Sequence, residues 1–365
     1  MECRENFVSP NGQRLVPFLA ALALFLSTLE YLIPKPLPIL RLGLANLPLL
    51  LALAKLRAPD YFLLALLKVL GQALVSGTLF SYVFLFSAAG TFAASAAMWV
   101  LYHIAGTSLV GFIGLSVAGA LGNNAAQIAL GRFFLFGEGT RYIAPVLLIA
   151  GTVTGVGLGL FAERFTAMSK WYAALPEKLT PQRFEWHKKG GKAFLSRRTL
   201  AAGVGFAAAL GIFAAVRNPV VLGVLTVALA VAVRLRRGRV RVLPALSAAA
   251  CVVFFAVLAP YGKVLVRIGP LAVTSGALFS GVRRAEILVG MVFLSQLVLS
   301  GFANRAALGR PARDGGETGL LTAVFAAYGR ITAEGIPIRR GKILEGLDKR
   351  LWESCYESGC PHMSA

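Results

Sequence analysis

Acidic residues are scarce in this chain. Its 365 residues include 16 Asp and Glu against 37 Lys and Arg. Only three are aspartates, Asp60, Asp314 and Asp348, and none adjoins another. An Mg²⁺ site needs several oxygen ligands close together, so aspartate-rich diphosphate chemistry is excluded. Charge of either sign is sparse too, at 15% of residues, where a soluble domain carries about 25%. Such a chain has too little polar surface to cover itself in water. Cysteine is equally thin. Cys251 lies in an apolar run, and Cys355, Cys360 and His362 are one ligand short of a zinc site. His103 and His187 stand alone. No G-x-x-x-x-G-K-[ST] occurs, and Gly190-Gly-Lys192 lacks the spacing of a phosphate loop, so the chain does not hydrolyse ATP itself. No catalytic residue, metal site or cofactor is implied, and the expectation is a protein that is not an enzyme.

What is present is apolar sequence. Hydrophobic residues make up 57% of the chain and mean hydropathy is +0.72, which excludes disorder. Runs near the length needed to cross about 30 Å of hydrocarbon fall at 15–34, 42–58, 61–79, 80–102, 106–130 and 142–161. A second set follows at 199–216, 219–233, 243–260 and 285–303. The runs are continuous, not alternating, which excludes a β-barrel. The expected fold is all-α: a polytopic helical membrane protein with a six-helix N-terminal bundle and about four further spans. The glycines 151, 155, 157 and 159 are placed to let one helix backbone approach another. The run from Leu15 is too long for a signal-peptide core and reads as a retained anchor.

The excess of positive charge suggests nucleic acid in a soluble protein, but its position argues otherwise. Nine basic residues fall in 162–198 and five arginines in 234–241, both between apolar runs. The positive-inside rule reads them as cytoplasmic segments near lipid headgroups. Six spans before the linker would put the N-terminus, linker and C-terminal tail in the cytoplasm. The expected divisions are 1–161 as a substrate-binding membrane domain, 162–198 as a basic linker, 199–304 as a second membrane domain and 305–365 as a tail. Within the tail, 319–328 is amphipathic and suits a membrane surface or a partner.

Polar residues inside the runs are the candidate site. Rise along each helix puts Glu30, Asn46, Asn123, Asn124 and Gln127 at one depth near the outside, from three helices. Buried polar groups in a bilayer face a bundle interior or a water-filled cavity. A substrate pocket and interhelical hydrogen bonding both fit. Lys68 falls nearer the inside, either snorkelling to the inner face or serving transport, and a direct Glu30–Lys68 pair is not expected. Arg41, Arg132 and Arg141 fall near the outer face, suiting an anionic substrate or lipid headgroups.

Pro34-Lys-Pro-Leu-Pro38, Arg41-Leu-Gly-Leu-Ala-Asn46, Lys68, Gly77-Thr-Leu-Phe-Ser81, Leu115–Ala120 and Asn123-Asn-Ala-Ala-Gln127 together resemble one family. It is the heptaprenyl diphosphate synthase component I family, also called the Gx transporter family, over about residues 12–165. Relatives carry His-Asn-x-Gly-Gln at the last motif, whereas Asn123 and Ala126 stand here for the His and the Gly. The family is similar to the substrate-binding (S) components of ECF vitamin transporters. The resemblance therefore implies a small molecule, of vitamin, flavin or cofactor type, taken from outside. It also admits a non-catalytic membrane subunit of a prenyl diphosphate synthase, or a scaffold for flavin-linked electron transfer. Gly269–Leu278, Gly281-Val-Arg-Arg284 and Leu294-Ser-Gln296 resemble the transmembrane (T) component of ECF transporters over about 199–304. That likeness implies a coupling role for Thr274, Arg283 and Arg284 and ECF ATPase subunits as partners in trans; a plain membrane-entry helix with a basic flank fits the same residues.

Overall fold

The computed structural model describes residues 15–32, 43–76, 82–175, 219–237, 242–268, 271–306 and 320–334, with a few single positions besides. The described chain is nearly all-α. Among the described residues, three segments are long and apolar enough to cross a membrane: Ala58–Ser76, Val83–Gly106 and Phe112–Met168, the last holding two helices. Shorter apolar helices lie at Leu15–Glu30, Pro219–Leu235 and Ala245–Val257. The chain is a helical membrane protein.

Helix α1 (Leu15–Leu32) carries no charge before Glu30, and every residue from Leu15 to Leu26 is buried. A helix apolar on every side belongs at the centre of a bundle, and α1 is enclosed there. The run at 42–58 does not form a span. A 3₁₀ turn (Leu44–Asn46) leads into a six-residue helix, α2 (Leu47–Ala52), about 9 Å long at helical rise. Gly43 introduces the turn at φ 80°, a conformation that glycine alone takes without strain. Because this segment does not cross, the parity that placed the N-terminus does not follow from it. Helix α3 (Ala58–Ser76) packs on α1, with Gly71 seated beneath Leu24.

Helices α4 (Tyr82–Leu109, broken at Gly106 with φ 66°), α5 (Phe112–Leu130) and α6 (Thr140–Met168) follow. Between α5 and α6 lie a π-helical turn (Gly131–Phe136) and a 3₁₀ turn (Gly137–Gly139). Gly151 of α6 faces Asn124, Gly155 faces Val117 and Ala120, and Gly159 faces Ile113. The reversed order shows that α5 and α6 run antiparallel. A Cβ at 155 would lie 3.1 Å from the Val117 Cα, and one at 159 would lie 3.0 Å from the Phe112 carbonyl oxygen. Gly157, expected to join this seam, meets nothing within 4 Å, because it sits on the other side of the helix. The outward face of α6 presents Ile149, Val153, Val156 and Leu160, all exposed, at the spacing of a lipid-facing stripe.

After the short α7 (Lys170–Ala174), the second body comprises α8 (Pro219–Arg237), α9 (Val242–Val257) and α10 (Ser275–Ala306). Of the expected span at 199–216, residues 199–210 and 212–215 lie outside those described. An antiparallel hairpin, β1 (Val264–Ile268) and β2 (Leu271–Thr274), joins α9 to α10. No strand is expected from the sequence at this position. A second core unites Phe86, Leu135, Phe136, Ile143 and Leu147 with Val252, Phe255, Ala285, Leu288 and Phe293. The stretch read as a tail carries α11 (Leu320–Glu334), whose Val324 and Ala327 are buried in the first core beside α1. The Tyr328 hydroxyl lies 3.1 Å from the Thr28 Oγ1. Asp348, further along, caps α7: its carboxylate accepts from the Ser169 hydroxyl and, at 3.2 Å each, from the Lys170 and Trp171 amides.

The glycine seam makes a paired prediction. Gly159→Ala pushes a methyl group into the α5 backbone and should cost about 1–3 kcal/mol. Gly157→Ala meets open space and should be neutral or stabilise by up to about 1 kcal/mol through helix propensity. Thermal unfolding of the two variants in detergent, compared with the parent, checks the difference in sign.

Candidate functional site

Asn46, Asn123 and Asn124 line one small cavity, together with Ser116, Thr154 and the apolar walls Leu50, Met98 and Leu158. Its volume is about 20 Å³, room for a single water. Each polar side chain arrives by a different local device. Asn46 ends the 3₁₀ turn ahead of α2. Ser116, Asn123 and Asn124 project from one face of α5, where residues seven or eight apart return to the same side. Thr154 stands between Gly151 and Gly155, whose missing side chains let α5 come close enough for its amides to reach α6.

The amides form a directed chain. Gln127 Nε2 donates to Asn123 Oδ1 at 3.2 Å, and Asn123 Nδ2 to Asn124 Oδ1 at 3.4 Å. Asn124 Nδ2 donates to the Leu147 carbonyl of α6 at 2.6 Å. Gln127 is buried one turn from Asn123 and does not line the cavity. Lys68, which does not line the cavity, donates from Nζ to Asn46 Oδ1. Lys68 is therefore buried beside Asn46 and does not snorkel. The reading that kept it far from the outer-depth residues fails because α2 is short and Asn46 sits in a turn, not four residues into a long span. With Oδ1 held by an ammonium, Asn46 keeps Nδ2 as a donor.

One polar atom in this wall is unsatisfied. Ser116 is 4% exposed, and its Oγ has no hydrogen-bond partner among the described residues. A buried hydroxyl without a partner costs about 1–3 kcal/mol. Ser116 and Thr154 line the cavity without being among the candidates expected from the sequence. Ser116 was available as the residue seven before Asn123 on the same helical face. No ionised side chain is among the lining residues.

The other candidates lie elsewhere. Glu30 is buried near the end of α1 and does not line the cavity; Arg41 lies outside the described residues. Arg132 pairs with Glu138 at 3.1 Å on the exposed α5–α6 turn. Arg141 donates to the Tyr142 hydroxyl at 2.8 Å and stacks over that ring. Thr274 is buried where the hairpin meets α10, its Oγ1 accepting from the Tyr261 amide at 3.0 Å. Arg283 is half-buried on α10. Arg284 crosses to the first body, with Nη1 3.5 Å from the Leu135 carbonyl oxygen in the π-helical turn and its guanidinium against Gly137, whose φ is 56°. Cys355, Cys360 and His362 lie outside the described residues.

The amide chain predicts an order of damage at Asn124. Asn124→Ala removes the donor to the Leu147 carbonyl and the acceptor of the Asn123 amide and should cost about 1–3 kcal/mol. Asn124→Asp should cost more, since it sets a carboxylate oxygen against the Leu147 carbonyl in a low-dielectric site. Melting temperatures in detergent should fall in that order.

No curated protein and no solved structure matches the chain. Residues 197–301 match a model described as a domain of unknown function. Residues 19–165, which hold every residue of the cavity wall, match the family model of heptaprenyl diphosphate synthase component I.

Proposed function

We propose that the N-terminal bundle receives a small, neutral, hydrogen-bonding molecule at the chamber walled by Asn46, Ser116, Asn123, Asn124 and Thr154, and that the chain serves membrane uptake. The observation that carries this reading is the unpartnered Ser116 Oγ among converging amides. Polar side chains in a bilayer are costly and face a partner or a pathway. The uncharged wall favours a neutral ligand over the anionic one that the arginines suggested. In the present state the chamber accepts only a water-sized guest. A larger molecule requires α2 and its turn to separate from α5 and α6, and a helix of six residues has little of its own to hold it in place. Uptake against a gradient would draw its energy from elsewhere, ECF-type ATPase subunits in trans being the form this proposal takes. The basic linker would face the cytoplasm, by the positive-inside rule.

A second reading is favoured by the family match over residues 19–165. The chain would then be the membrane subunit of a prenyl diphosphate synthase, with the partner subunit supplying the Mg²⁺-binding carboxylates. Asp60, Asp314 and Asp348 are too far apart in sequence to form an aspartate-rich motif.

Solvent extracts of the detergent-purified full chain, analysed by mass spectrometry, test the first reading. A small polar compound should accompany the parent protein and be lost from Ser116→Leu and Asn46→Ala while Gly157→Ala retains it. Equal recovery from all four proteins would overturn the assignment. An increase in prenyl transfer when the chain joins a catalytic synthase subunit, unaffected by Ser116→Leu, would favour the second reading.

A further inference from the structure

Glu286 lies on α10 and is the one acidic residue between positions 199 and 304, and one of its oxygens is unsatisfied. Its Oε2 is buried and receives no hydrogen bond among the described residues. Across from it stands Gly223 of α8, where a Cβ would come within 3.3 Å of the Glu286 Oε1. The glycine thus leaves room for the carboxylate between the helices. The space opens into a groove of about 530 Å³ walled by Val220, Gly223, Val224, Val227 and Val282. Val220, Val224 and Val227 recur at i, i+4 and i+7 and are 71%, 65% and 63% exposed. That spacing is the seam on which a second helix packs, and a glycine within it permits close approach.

Lipid tails satisfy the valines but offer the Glu286 Oε2 no donor. Of the two arginines just before it, Arg284 is turned towards the Leu135 carbonyl, and Arg283 makes interactions of its own. A second copy packed through the same seam would set Glu286 against Glu286, and like charges repel strongly at low dielectric. An anionic headgroup or a diphosphate is disfavoured for the same reason. A helix bearing a cation meets both demands at once: its apolar face covers the valines and its charge pairs with the carboxylate.

We propose that the α8–α10 groove is the docking seam for a transmembrane helix of a partner protein, whose Lys or Arg pairs with Glu286. The seam is separate from the chamber in the N-terminal bundle and does not depend on what that chamber binds.

Photo-crosslinking tests it. Benzoylphenylalanine replaces Val224 in the full chain, which is irradiated in the membranes of its own host. The expected product joins Val224 to a transmembrane peptide that contains Lys or Arg. Glu286→Gln, and Met in place of that partner cation, should each lower the yield on the order of tenfold. Gly223→Leu fills the seam without changing charge and should give the same loss. Size-exclusion profiles in detergent report whether each variant folds, and benzoylphenylalanine at the lipid-facing Val153 controls for labelling. Undiminished crosslinking in Glu286→Gln overturns the proposal. So does a product that joins two copies, stays within one chain or contains lipid alone.

Discussion

The close approach of α5 and α6 is the constraint on which the rest of the N-terminal bundle depends. Three glycines, one per turn or so on α6, bring its backbone against Ile113, Val117 and Ala120. At that separation the Asn124 side chain reaches the Leu147 carbonyl, and the chamber closes to the size of a water. A side chain at any of the three positions would hold the helices apart, and the amides of α5 would then face hydrocarbon without partners. In a bilayer there is no water to take their place. Packing and polar satisfaction are therefore one condition here.

Helix α6 also joins the two bodies. The Leu147 carbonyl accepts from the chamber wall, while its side chain lies in the second core with Phe255, Leu288 and Phe293. At the α5–α6 corner the backbone takes a π-helical turn and then a positive φ at Gly137, and Arg284 from α10 sits against both. Irregular backbone of this kind recurs at functional positions. At the other end of the bundle, α11 lies on α1 and the Asp348 carboxylate caps α7. The C-terminal part of the chain thus grips the N-terminal bundle at two places far apart in sequence.

Much of the architecture was legible because it follows from composition within single segments. Scarce charge and continuous apolar runs foretell helices in a bilayer, since a lone helix must satisfy all its own backbone groups there. The face shared by Asn123, Asn124 and Gln127 follows from helical spacing, and the structure sets Asn46 across from two of them. Other features were hidden. The run at 42–58 is as apolar as its neighbours, yet it is buried by α1, α5 and α6 as a turn and a short helix. Hydropathy measures burial and does not distinguish lipid from protein as the burying medium. The hairpin at 264–274 was hidden because its valines and leucines suit a helix or a strand equally well by pattern. Ser116 shares the helical face of Asn123, but only the packing of its neighbours leaves its hydroxyl without a partner.

By itself the sequence determined that this chain spans a membrane by helices, that its basic segments lie between apolar runs, and that a cluster of amides sits on α5. These are properties of local composition and period, and no distant contact is needed to establish them. Tertiary structure alone decided that Lys68 meets Asn46, that Gly157 is left out of the seam, that α11 returns to α1, and that Glu286 faces an open groove. Each of those depends on which side of a helix faces which neighbour, and that choice is made by the whole set of side chains competing for burial.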